Sequence, residues 1–167
     1  FVLLLLWMTR GNAAEAFEQA EEQYRTGSYT AAIDSYEKFV KRYAGDPNES
    51  LEKVRLGMSL LRQTSDTAQN PHQALNVAKE QLPIIEKELA FPQARPELAN
   101  ILPDIADGLV NRARDEKNTT TREGLVQEVE EALEFVNNPT YIPSSLRSGQ
   151  QTKIEGIQEK LKAARQS

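Results

Sequence analysis

The sequence predicts an all-α protein: about three helical hairpins stacked as an α-solenoid, followed by a terminal helix. Three observations carry that expectation. Apolar residues recur at intervals of three and four along most of the chain, which is the spacing of one buried helix face. Helix-stop and helix-start residues interrupt those stripes at Gly27-Ser28, Asp46-Pro47, Asn70-Pro71 and Asn138-Pro139. The 167 residues carry 27% charged side chains and a net charge of -5, a composition that supports a cored domain.

The run Phe1 to Met8 is apolar without a break, and Gly11-Asn12-Ala13-Ala14 supplies small residues of the kind signal peptidase cuts beside. Residues 1–14 therefore read as the latter part of a secretory signal peptide, and the chain as exported to a periplasm or cell envelope. The run is too short to span a bilayer, so its competing reading is a short apolar helix docked on the first hairpin. Membrane contact is expected only through this segment before processing.

Residues 15–47 form the clearest hairpin. Ala13, Ala16, Phe17, Ala20 and Tyr24 line one helix, and Tyr29, Ala32, Ile33, Tyr36 and Val40 line the next. Between them Gly27 is suited to the left-handed conformation that closes a helix, and Ser28 to capping the following one. Small Ala20 and Ala32 leave room for close helix approach. The order Ala20, Tyr24, Gly27, Tyr29, Ala32 and Tyr36 resembles the tetratricopeptide repeat, a helix-turn-helix unit of about 34 residues. Gln19 stands where that family usually has leucine, and Phe39 where it has a small residue. The closing phrase Arg42-Tyr43-Ala44-Gly45-Asp46-Pro47 is similar to repeats of bacterial envelope proteins.

Residues 48–92 read as a degenerate second repeat. Asp46-Pro47-Asn48-Glu49 combines a capping aspartate, a first-turn proline and a glutamate able to reach back. Leu51, Val54, Met58 and Leu61 give its first apolar face, and Leu56-Gly57 resembles the family's leucine and small residue. Gln63 to Gln69 is polar, Asn70-Pro71 restarts a helix, and Ala74, Leu75, Ala78, Leu82, Ile85 and Leu89 line it. Pro83 and Pro103 each predict a kink.

Residues 93–138 form a degenerate third hairpin. Its first helix starts near Pro96 with Leu98, Ile101, Leu102, Ile105 and Leu109 on one face. Thr120-Thr121-Arg122-Glu123 fits a capping box for the second, which carries Leu125, Val129, Ala132, Leu133 and Val136. In residues 139–167, Ser144 or Ser145 is placed to cap a last helix bearing Leu146, Ile154, Ile157, Leu161 and Ala164. That helix has no later partner in sequence and reads as a cap or an unpaired half-hairpin.

Composition excludes much chemistry. The acidic balance argues against nucleic acid, which needs a basic stripe. With no cysteine there is no disulfide, thiol catalysis or cysteine-bound zinc. His72 is the single histidine and sits at a helix entrance, where capping or a surface role is expected. No phosphate loop, metal-binding spacing or serine elbow is present, so no catalytic residue, metal or cofactor is expected, and the chain reads as a non-enzyme. Asp34 with Lys38, Glu37 with Lys41 and Glu49 with Lys53 are spaced as helix-surface pairs. Glu128, Glu130, Glu131 and Glu134 make an acidic helix face, either solvated or open to a basic partner.

The tetratricopeptide resemblance implies a groove lined by the first helix of each pair, binding a protein or peptide partner. Carried onto the first repeat, the wall positions are Phe17, Glu21, Tyr24 and Arg25. On the second they are Val54, Met58, Leu61 and Arg62. Arg25 and Arg62 would then select a segment with apolar anchors and some acid. Tyr24, Met58 and Leu61 also fit plain packing. Phe17 and Glu21 replace the lysine and asparagine with which some members clamp a terminal carboxylate, so chaperone-tail docking is not expected. The alternatives are a spacer segment of a larger exported repeat protein and, last, a cell-wall hydrolase, which needs facing paired acids.

Overall fold

A computed structural model describes residues 2–66 and 70–166, excluding the side chains of residues 2–12. The described residues are helical, with no strand among them. The helices are α1 (Val2–Arg25), α2 (Tyr29–Arg42), α3 (Glu49–Ser65), α4 (Pro71–Ile85), α5 (Arg95–Asp115), α6 (Thr119–Asn137), the single turn α7 (Ser144–Arg147) and α8 (Gln151–Gln166). Short 3-10 turns precede α5 and α8. The apolar run expected to be a signal segment lies outside the described side chains. The α1 backbone is helical from Val2 through the proposed cleavage region. No helix among the described residues is long and apolar enough to cross a membrane.

The chain divides into two units, residues 1–63 with 81–92 and residues 64–80 with 93–167. In the first, α1 and α2 form the expected antiparallel hairpin. Gly27 has φ +77, and the Ser28 and Gly27 amides donate back to the Gln23 and Tyr24 carbonyls, which is the Schellman closure. Ser28 departs from expectation: its side chain makes no cap bond, and its backbone carbonyl alone accepts from Ala32. Ala20, Ala32 and Tyr36 pack together without solvent exposure, joined by Tyr24 and by Leu56 of α3. Phe17 meets Phe39 edge-on, so the aromatic Phe39 fills the space a small residue would leave.

Helix α3 begins at Glu49, after a turn containing Pro47. Glu49 reaches back to the Gly45 amide, while Asp46 holds the Asn48 amide. α3 and the end of α4 run antiparallel: Ser50 accepts from the Ala90 amide, Lys53 reaches Glu88, and Gly57 lies against Ile85. The predicted kink site Pro83 is exposed and α4 continues through it to Ile85. Lys79, whose carbonyl loses its amide partner, is exposed as well. Because α4 ends there, Leu89 falls in the following turn and points to solvent, whereas Phe91 turns inward.

In the second unit α5 and α6 form an antiparallel hairpin, and α8 runs parallel to α5. Gln150 pairs with Asn100, Lys153 with Asp104 and Lys160 with Asp107, ascending both helices together. α8 packs within this unit: Ile154, Ile157, Leu161 and Ala164 are buried, and Arg165 bridges to Glu130 of α6. α5 runs without interruption through Pro103, which is buried. The cap of α6 is Asn118, whose side chain accepts from the Thr121 amide, in place of the expected Thr120 box. Neither Ser144 nor Ser145 caps α8; they form α7, and α8 starts at Gln151. Asn70 does cap α4, accepting from the Gln73 amide.

Candidate functional site

Along the exposed side of α1 lies a depression of about 530 Å³ lined by Phe17, Glu18, Glu21, Glu22, Tyr24, Arg25 and Arg55. Four of these are the first-repeat wall residues expected from sequence. Tyr24 is half-buried, stacked edge-on against Tyr29 and Tyr36, so it serves packing and the wall at once. Arg25 is 74% exposed and bonded to Glu22 at 2.5 Å. Such an exposed pair adds little to stability and breaks readily for a partner.

The second-repeat positions fare differently. Met58 is 0% exposed, and Val54 and Leu61 are buried beside it. They are core, since α3 is covered by the hairpin on one side and by the end of α4 on another. Arg62 is half-buried and does not line the depression. The α3 residue that does is Arg55, which the sequence reading missed. Its spacing gave a signal: Glu52, Arg55, Ser59 and Arg62 share one helix face next to the apolar stripe.

Arg55 joins the depression to the core. Its Nε donates to Glu21 Oε1 at 3.0 Å and its guanidinium lies 4.8 Å from the centre of the Tyr24 ring. Burial works hardest against the charge, but the Glu21 carboxylate, Tyr24 and Tyr36 together outweigh it and hold its pKa above the usual value. The same Glu21 oxygen accepts from the Tyr36 hydroxyl at 2.9 Å. Burial first, then Glu21, pushes the Tyr36 hydroxyl well above its ordinary pKa, so it stays a donor. Beneath these, Glu52 is fully buried, and neither carboxyl oxygen meets a hydrogen-bond partner among the described residues. Burial, then Glu21 and Asp46, push Glu52 up to about 8, against the opposing pull of Arg55.

The depression carries more acid than base. Three carboxylates face two guanidiniums, and Arg25 and Arg55 already have acidic partners, so its field favours cations.

The acidic face of α6 is largely neutralised inside the second unit. Glu128 meets His72 Nδ1 at 2.5 Å, Glu131 meets Lys79, and Glu130 meets Arg165. His72 is exposed at the first turn of α4 and also contacts Asn76. A second depression of about 580 Å³ lies between α6 and α8, but its apolar floor, Leu133 and Leu161, is already buried. No group of histidine, aspartate and glutamate able to hold a metal occurs among the described residues.

No protein-family model matches this chain, and neither a curated protein nor a solved structure does.

Proposed function

We propose that the chain is a tetratricopeptide-type interaction module of a bacterial envelope, exported by an N-terminal signal, whose α1 depression receives a segment of a partner protein. The observation that carries this reading is the depression itself. Phe17 and Tyr24 supply aromatic surface, and Glu18, Glu22 and Arg25 surround it with exposed or weakly held charge. Further support comes from the hairpin, where Ala20 and Ala32 are fully buried in the helix contact and Gly27 takes a positive φ. The partner segment is basic with an apolar anchor, matching the acidic excess of the wall.

A displayed peptide library selected against the protein tests this. Enrichment of lysine- or arginine-bearing segments with an aromatic or large aliphatic residue is expected. Phe17→Asp should weaken the selected peptides by about tenfold or more, as loss of a central anchor does. Selection of the same peptides by Phe17→Asp would remove the depression from consideration. No enrichment at all would favour the spacer reading.

A further inference from the structure

The buried face of α3 carries a carboxyl group for which packing offers no use. Glu52 is fully enclosed, and neither oxygen is hydrogen-bonded among the described residues. A buried polar group in that state is costly, and an ionised one far more so. The groups facing it are Glu21 from α1, Tyr36 from α2, Asp46 from the turn before α3, and Arg55 one turn along its own helix. Arg55 is committed to Glu21. With Glu52 neutral, Glu21, Asp46 and Arg55 leave this cluster with one net negative charge. Releasing the proton to solvent makes it two, inside the junction where α3 meets the hairpin.

We propose that Glu52 is a proton-operated latch: protonated, it lets α3 close on the α1–α2 hairpin, and ionised, it loosens that junction and draws Arg55 from Glu21. The device acts on the free protein, whatever the α1 depression binds. A carboxyl group that keeps its proton to about pH 8 when enclosed, and loses it in the usual carboxylate range when opened, makes opening more frequent as pH rises between those limits.

Amide hydrogen exchange of the intact protein tests the latch, with rates corrected for the intrinsic effect of pH. From near pH 6 to near pH 8.5, protection of the α3 amides from residue 52 to 58 should fall by about tenfold or more. Amides of α5 from residue 105 to 110 serve as the internal control and should change far less. Glu52→Gln, which has the same shape and cannot ionise, should keep α3 protection nearly constant over that range. Glu21→Gln removes the carboxylate that repels Glu52 most, so it should shift the upper limit of the loss to lower pH and make the loss between pH 6 and pH 8.5 smaller, which keeps the test decisive should Glu52→Gln fail to fold. Constant protection in the wild type, an unchanged pH response in Glu52→Gln, or an unshifted one in Glu21→Gln would each overturn the latch.

Discussion

Replacing Gly57 by alanine should destabilise the protein even though alanine is the better helix former. A Cβ at position 57 would stand 2.5 Å from the Ile85 Cγ2 methyl, with Gln81 Oε1 and Ile85 Cδ1 at 3.6 Å. Carbon atoms pack best about 3.5–4.0 Å apart, so the overlap is about 1 Å. Ile85 is buried and β-branched, and χ1 of such a residue is nearly fixed in a helix, so the methyl has nowhere to swing. Overpacking of this kind costs about 1–3 kcal/mol. Removing glycine from a helix interior returns about 1 kcal/mol, leaving a net loss of up to about 2 kcal/mol. Urea unfolding followed by far-UV circular dichroism measures it, as a lowered midpoint. Gly124→Ala in α6 is the control: nothing lies within 4 Å of its added methyl, so it should raise the midpoint. Ile85→Ala in the Gly57→Ala background should recover at least about 1 kcal/mol relative to additivity, because the obstructing branch is gone. If Gly57→Ala stabilises as Gly124→Ala does, the close approach of α3 to the end of α4 is not real.

Three further outcomes rest on the same geometry. Glu52 has a folded-state pKa above its unfolded value, so its contribution is complete below the ordinary carboxylate range and is lost as pH rises toward about 8. Urea midpoints should therefore fall between about pH 5 and pH 8, and Glu52→Gln should flatten that slope. Tyr36→Phe removes the hydroxyl from Glu21 while Arg55 still holds the carboxylate, and should cost about 1–2 kcal/mol in the same assay. Gly27→Ala forces an alanine into φ +77 at an otherwise open position and should cost about 1–2 kcal/mol, with a glycine-like αL former such as Asn losing less.

The helices were legible in the sequence because their apolar stripes and punctuating residues are local. Gly27 closing α1 and Asn70 with Pro71 opening α4 are readable within one turn of chain, and the stripe Ala74 to Ile85 within a single helix. What escaped depends on covering by elements distant in sequence. α3 looked amphipathic with one face at Leu51, Val54, Met58 and Leu61. It is covered more widely, so the neighbouring polar positions Glu52 and Ser59 are buried too and Arg55 is drawn toward α1. The same cause turned Met58 from a wall residue into core. At the other end, α8 is tied by ion pairs to α5 and α6, helices well before it in the chain. The Thr120 cap failed for a simpler reason: Asn118, two residues earlier, is the stronger cap type, and the helix it opens by accepting from the Thr121 amide already contains Thr120 in its first turn.

Arg55 makes the surface and the buried carboxyl parts of one electrostatic unit, with a consequence for binding. Glu21 lines the depression and is also among the charges that keep Glu52 protonated. A basic partner settling on Glu21 would weaken that repulsion, lower the Glu52 pKa and release part of a proton wherever Glu52 is still protonated. Linkage then requires the reverse: affinity for the basic segment rises as pH rises toward 8. Titration calorimetry of a selected peptide near pH 7, repeated in buffers of different ionisation enthalpy, should show fractional proton release. Glu52→Gln should abolish it while leaving the peptide bound. Proton release that persists in Glu52→Gln would assign it to another group and break the connection between depression and latch. Binding without any release would show that the partner does not screen Glu21, and so does not lie where Arg55 and Tyr24 meet it.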